Sequence, residues 1–444
     1  MNGRSRPHAE RGNRNQNSGL PRPAGRRPLR VLLPALTGTL VLLAGCSGTA
    51  PGPSHPGGAT PSAGSSARSA SVSSGLTKGT LHLVVVSGPV QNGNVDPKTD
   101  WVTPFQKQTG CLVVLKNATT DAKAVDYVNR GTGRAYYDGV LGSPEVLGQL
   151  AKDGDLRPLD TSRITGYSGL SPRLRSAPGE LSGGKIYGMP YSWDSYVTGY
   201  DATKVKPAPQ SWTSLFEPAS AARYAGKITV PDSPVTLALA ALYLKSAQPS
   251  LGISDPFELT KPQLAAAVQA ITAVRHNIGT FWTRDSEVIG QLGDGQDVLG
   301  AVLSHQIVEM ARAGLPTAGV PAPATAAGSG TAVGSVLSWM MTSQTPESDC
   351  MYRWLSWSAS ASVQERVSAW TNTAPANPAA CTRAAAANCA EFHMAGLATA
   401  RNLVFDHLPA SDCGDGTTGC ADYAQWQADW RHITGEPGPA TPGT

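Results

Sequence analysis

The chain has 444 residues, of which 15% are charged and 40% hydrophobic. That composition supports one large or two medium packed domains and excludes a wholly disordered chain. Charge is uneven: residues 1–45 hold eight Arg and one Glu, while everything from Cys46 onward nets −3, which excludes a basic nucleic-acid-binding body.

Taken in chain order, residues 1–30 are rich in Arg, Gly, Pro and Asn, and Val31–Gly45 is a mostly apolar run interrupted by Pro34. A span of the bilayer needs roughly 18 or more apolar residues, so this shorter run behind a basic stretch reads as a secretory signal. It ends in Leu43-Ala44-Gly45-Cys46, which resembles the lipobox of bacterial lipoproteins. The resemblance implies that the Cys46 thiol receives a diacylglycerol and anchors the exported protein to the outer face of the cell membrane. Residues 46–78 are almost entirely Gly, Ser, Ala, Pro and Thr and read as a flexible tether.

Six further cysteines remain: Cys111, Cys350, Cys381, Cys389, Cys413 and Cys420. An even count in an exported chain suggests three disulfides out of fifteen pairings. The short intervals Cys381…Cys389 and Cys413…Cys420 could close local loops, and Cys111 with Cys350 would then be a long-range staple. No CxxC or HxxxH spacing exists, so neither a metal nor another cofactor is expected.

Leu81–Val86, Cys111–Leu115 and Tyr136–Leu141 are short apolar runs that read as buried strands. Between and after them lie helical stretches around Trp101–Phe105, which Gly110 can end, over residues 121–130, and over Glu145–Ala151. This alternation predicts an α/β domain with a mainly parallel sheet. Two short strands are expected in Ile186–Tyr200, then strands at Lys227–Val230, Val298–Leu303 and Ser335–Met341. Asp232-Ser233-Pro234 opens a helix through Ser246, and Thr260-Lys261-Pro262-Gln263 has the form of a capping box. Glu287–Leu292 and the chain from Cys350 onward read as helical, and Tyr423, Trp426, Trp430 and Ile433 form a core stripe on a last helix.

Over residues 79–435 the order of several short patterns resembles the bacterial ABC-transporter solute-binding proteins, in particular the spermidine/putrescine-binding group. They are Phe105…Thr109-Gly110, Tyr137-Asp138-Gly139-Val140 with Ser143, and Gly154…Leu156…Pro158-Leu159-Asp160. Gly184-Lys185-Ile186-Tyr187-Gly188-Met189-Pro190-Tyr191 with Trp193, Ser211-Trp212…Leu215-Phe216, Gly226-Lys227-Ile228 before Asp232, and Ala374-Pro375-Ala376-Asn377 follow. The resemblance implies a type II periplasmic-binding-protein-like fold: two α/β lobes joined by a hinge and closing over a solute. It places the first lobe at 79–193 and 338–435, the second at 194–337, and a tail at 436–444. The partners it implies are a small organic solute and membrane permease subunits, with the receptor a monomer. The polyamine pattern is not matched at Val86, Val235, Ser335-Val336-Leu337 and Thr373, which leaves a solute other than a polyamine open.

Ligands of open α/β sheets sit beyond the carboxyl ends of strands. That rule selects Ser87, Ser143, Trp193, Asp194, Asp232 and Ser304, with Trp282 and Asp285 as a second aromatic–acid pair. Trp193 could offer a face to an organic cation and Asp194 or Asp232 its counter-charge; the competing role of Asp232 is a helix N-cap, and that of Ser87 and Ser143 a plain turn serine. Ser182-Gly183-Gly184-Lys185 formally fits a nucleophile motif but sits in a Gly-rich turn without its companion motifs, so no enzyme is expected. A lipoprotein sensor with the same fold and no transport role is the alternative.

Overall fold

The computed structural model describes residues 79–86, 88–130, 137–320, 332–392, 394, 403–413 and 418–435. The expected signal, Cys46, the tether, Ser87 and the tail at 436–444 lie outside them. No helix among the described residues is long and apolar enough to cross a membrane.

The strands in chain order are β1 (Gly79–Val86), β2 (Cys111–Ala118), β3 (Gly139–Gly142), β4 (Leu181–Ser182), β5 (Lys185–Ile186), β6 (Gly188–Asp201), β7 (Ile228–Pro231), β8 (Ile278–Trp282), β9 (Leu299–Leu303), β10 (Thr317–Val320), β11 (Ala332–Met341), β12 (Ala374–Pro375) and β13 (Leu403–Phe405). Eleven of them form one sheet, whose main path is β2-β1-β3-β11-β6-β9-β7-β8. The β2-β1-β3 group at one end and the β9-β7-β8 group at the other are each parallel, and β6 and β11 run antiparallel between them. This is the two-lobed α/β architecture with a hinge crossed by extended strands.

The inner strands of each lobe bury both faces, whereas the edge strand β2 leaves Leu112 and Val114 exposed. Along β1, Leu81, Leu83 and Val85 enter one core and Val84 the other. Along β9, Leu299 and Ala301 face one core and Val302 the other. Burial on both sides is why these strands read as unbroken apolar runs rather than alternating ones.

Local signals held where their chemistry was specific. Gly110 closes the helix Val102–Thr109 in the left-handed region, at φ 76°. Gln263 accepts from the Thr260 backbone N–H at 2.8 Å, the back-reaching half of a capping box. All three disulfides join the expected pairs, Cys111–Cys350, Cys381–Cys389 and Cys413–Cys420.

Two features differ from the expectation. The stretch read as two short strands is a single 14-residue strand, β6. Its turn-like Tyr191-Ser192-Trp193-Asp194 is held extended by β11 on one side and β12 on the other. The C-terminal helix, expected on the first lobe, packs on the second. Tyr423, Trp426 and Trp430 of Tyr423–Thr434 join the core formed by Leu239, Leu264 and Ile271. The sequence shows that the helix has an apolar stripe but not which lobe receives it.

The chain reaches that helix through β13, which pairs parallel with Ala332–Gly334 of β11. Leu403 and Phe405 enter the first lobe's core and Val404 packs on the second's. This C-terminal stretch is a strap touching both lobes.

Candidate functional site

Where the lobes meet, side chains from five parts of the chain converge. Ser143 caps the helix Pro144–Lys152 and donates to Asp121 Oδ2 at 2.5 Å. Pro144 takes the first helical position, and Glu145 follows it in the first turn. Ser233, from the second lobe, donates to Glu145 Oε2 at 3.4 Å, so the two lobes touch here. Tyr196 comes from the crossover strand β6, Asp406 follows β13, and Tyr423 begins the C-terminal helix.

These groups lie deep among protein atoms, yet Asp121, Ser143, Glu145, Tyr196, Ser233 and Asp406 each keep part of their surface accessible. They are deep without being sealed. Asp121, Glu145 and Asp406 form no ion pair with Lys or Arg among the described residues. Burial, with the Asp121 charge adding to it, pushes the Glu145 carboxyl up to about 7. Burial also raises Asp121, against the Ser143 hydrogen bond. Asp406 is likewise pushed up to about 7 by burial, against a Ser335 hydrogen bond and the His407 charge, with the Asp121 and Glu145 charges adding to it. The Tyr196 phenol is driven well above its usual range by burial and by Asp406, Asp121, Glu145 and Asp194 around it. The result is a cluster of carboxyls whose charged forms are disfavoured by burial and by one another.

Among the described residues no three His, Cys, Asp or Glu side chains converge closely enough to hold a metal ion. The carboxyls feel one another's charge.

A second polar group adjoins the first. His305, near the start of the helix Ser304–Arg312, lies between Asp194 and Asp285. Its Nδ1 bonds Asp194 Oδ2, and its Nε2 is 3.3 Å from Asp285 Oδ1. Burial would lower the ring's pKa, but the two carboxylates outweigh it and push it up to about 10, so it is an imidazolium at neutral pH. Ser304 and Ser195 join their hydroxyls beside it at 2.9 Å.

The residues selected from sequence fall into three settings. Asp194, Asp285 and Ser304 come together around His305, with Asp194 also accepting from the Ser195 N–H at 2.6 Å. Ser143 stands at the acidic pocket. Trp193, Trp282 and Asp232 are committed elsewhere. Trp193 is 4% exposed, packs edge-on against Phe392 and Phe405, and points Nε1 at Met394 Sδ, 2.9 Å away. Trp282 is buried and donates to the Ala301 carbonyl at 2.9 Å. Asp232 does not cap the helix, which begins at Val235 behind Pro234; it accepts from Trp430 Nε1 at 3.0 Å. Sequence reasoning missed Asp121, Glu145, Tyr196, Ser233, His305, Asp406 and Tyr423. The strand-end rule could have reached Glu145, two residues beyond Ser143, but nothing in the sequence brings the C-terminal stretch to the cleft.

Two parallel-stranded lobes sharing antiparallel crossover strands, with carboxyls gathered where they meet, define the class of type II periplasmic-binding-protein-like solute receptors. The chain belongs to the family of bacterial extracellular solute-binding proteins, whose pattern matches residues 100–392. The family and the homologues of this chain are solute-binding proteins, not enzymes. A putrescine/cadaverine-binding protein of Pseudomonas aeruginosa is 28% identical over 148 residues, 32% of this chain and 40% of its own length. The spermidine/putrescine-binding periplasmic protein of Escherichia coli is 24% identical over 231 residues, 45% of this chain and 61% of its own. The chain thus spans 40% and 61% of the length of these two curated relatives. In fold it matches a spermidine/putrescine ABC-transporter substrate-binding protein of Streptococcus pneumoniae, with a TM-score of 0.60 at 17% identity over 80% of this chain and 99% of that one. It also matches a binding protein of A. tumefaciens in complex with glucopine, with a TM-score of 0.59 at 16% identity over 80% of this chain and 99% of that one.

Proposed function

We propose that the protein is the membrane-anchored receptor of an ABC importer and that its solute is an organic cation carrying at least one amine, delivered to a permease. The observation that carries the cationic solute is the pair Asp121 and Glu145, buried without a basic partner where Ser233 of the second lobe reaches Glu145. Burying unpaired carboxylates costs several kcal/mol per group. A bound ammonium removes that cost, so the pocket favours a cation over neutral or anionic solutes. The polyamine-binding relatives support the same chemistry. The anchor is diacylated Cys46, with residues 47–78 as tether.

The test is calorimetry and thermal shift on the body against alkylamines, putrescine, spermidine, amino acids, sugars and carboxylic acids. Amines are expected to bind, and Glu145→Gln to weaken them at least tenfold. A solute present at 100 times its Kd adds roughly 2.7 kcal/mol, which a melting curve detects. Tight binding of a neutral sugar or an anion, with no response to amines, overturns the reading.

A further inference from the structure

We propose that the C-terminal strap is a third wall of the solute site, with Asp406 and Tyr423 contacting the bound cation alongside Asp121 and Glu145. The proposal rests on the cationic-solute reading and adds residues outside the two-lobe frame.

The strap is fixed from both sides. On the first lobe, Arg173 Nη2 donates to the Leu403 carbonyl at 2.8 Å. A Cβ on Gly179 would lie 2.8 Å from the Asp406 carbonyl oxygen, and one on Gly148 would lie 2.5 Å from Leu408 Cβ, so two glycines admit the strap. On the hinge, the Asp406 N–H donates to the Gly334 carbonyl of β11 at 2.9 Å. On the second lobe, the His407 ring lies 5.3 Å from Phe257 and 3.5 Å from the Glu258 carboxylate. Farther along, the Ala421 N–H donates to the Leu259 carbonyl at 2.9 Å. This stretch is built into the junction rather than laid over it.

One carboxylate oxygen is left open there. Asp406 Oδ1 is buried and has no hydrogen-bond partner, while the same carboxyl group is held by Ser335 and lies near the His407 charge. The Tyr423 hydroxyl, on a residue 7% exposed, reaches Glu145 and Gln427. A buried acceptor without a partner, beside two carboxyls without a Lys or Arg counter-ion, is what a solute ammonium would satisfy: it donates to Asp406 while Tyr423 shares the coordination.

The test uses the full chain, with butylamine, putrescine and spermidine as probes. Asp406→Asn is expected to weaken the amine that wild type binds best by tenfold or more while leaving the unliganded melting temperature unchanged or raised. A merely structural carboxylate would lower that temperature and spare affinity. Tyr423→Phe, which removes one oxygen, is expected to weaken binding three- to tenfold. Should Asp406→Asn fail to fold, hydrogen exchange on wild type decides: amine should slow exchange in residues 403–408, and unchanged exchange overturns the proposal. Amine affinity equal to wild type in both variants overturns the third wall and leaves the cationic reading standing. Wild type that binds none of the amines overturns both.

Discussion

Glu145 and Asp406 both titrate near 7, so their charge changes across the physiological range. For each, the folded value lies above the unfolded one, near 4. The folded protein therefore binds protons more tightly than the unfolded chain between those values. Their contribution to stability is greatest below pH 4, declines as pH rises through 7, and then levels off. Solute binding should run the other way, because a cation needs the ionised carboxylates. Melting curves from pH 5 to 8 are expected to fall less steeply for Glu145→Gln than for wild type, and amine affinity should rise through pH 7. His305 acts in the same direction over a higher window: its imidazolium stabilises the fold fully below about 6.5, and that contribution is lost as pH rises through about 10. Asp194→Asn removes one of its two carboxylates and should cost about 3 kcal/mol in denaturant unfolding. Asp194 was selected from sequence as a counter-charge for the solute; the counter-charge role is legible in its type, but the partner is not. His305 follows Ser304, 109 residues beyond Ser195, and only the pairing of β6 with β9 joins them.

At the scale of elements, the first three strands were legible because each is a short apolar run between turn signals. The length of β6 was not, because Pro190 and the polar Ser192-Trp193-Asp194 resemble a turn until β11 and β12 pair with them. The three disulfides differ in what they constrain. Cys111–Cys350 closes a loop of 239 residues and ties the start of β2 to the helix Ser348–Ser358. Chain-entropy scaling gives roughly 4.7 kcal/mol for a 100-residue loop and about 2.5 kcal/mol for loops of seven or eight. Cys350→Ser should therefore destabilise more than Cys389→Ser, as read by urea midpoints. Arg312, at the end of its helix in the second lobe, bonds Asn372 Oδ1 and reaches Asn388 Oδ1 at 3.0 Å. It closes the junction away from Glu145. Arg312→Ala should raise the solute dissociation rate several-fold, measured by stopped-flow Trp fluorescence.

For the whole molecule, the α/β class followed from strand and helix alternation and the two-lobed form from the family resemblance, but the site did not, because it is made where distant segments cross. At this scale Cys46→Ala is expected to release the protein into the medium, checked by fractionation. The crossover strands set how the lobes can move. β6 and β11 stay paired from Val333–Tyr196 to Met340–Gly188, with one slip in register after Leu337, where the partner jumps from Ser192 to Pro190. Proline has no N–H to give the ladder, so the slip costs little there. Sheet continuous through a pivot behaves as a leaf spring rather than a pin. Opening must flex it near that weak point, elastic recoil would oppose the displacement, and the resting angle between the lobes is therefore written into the ladder itself.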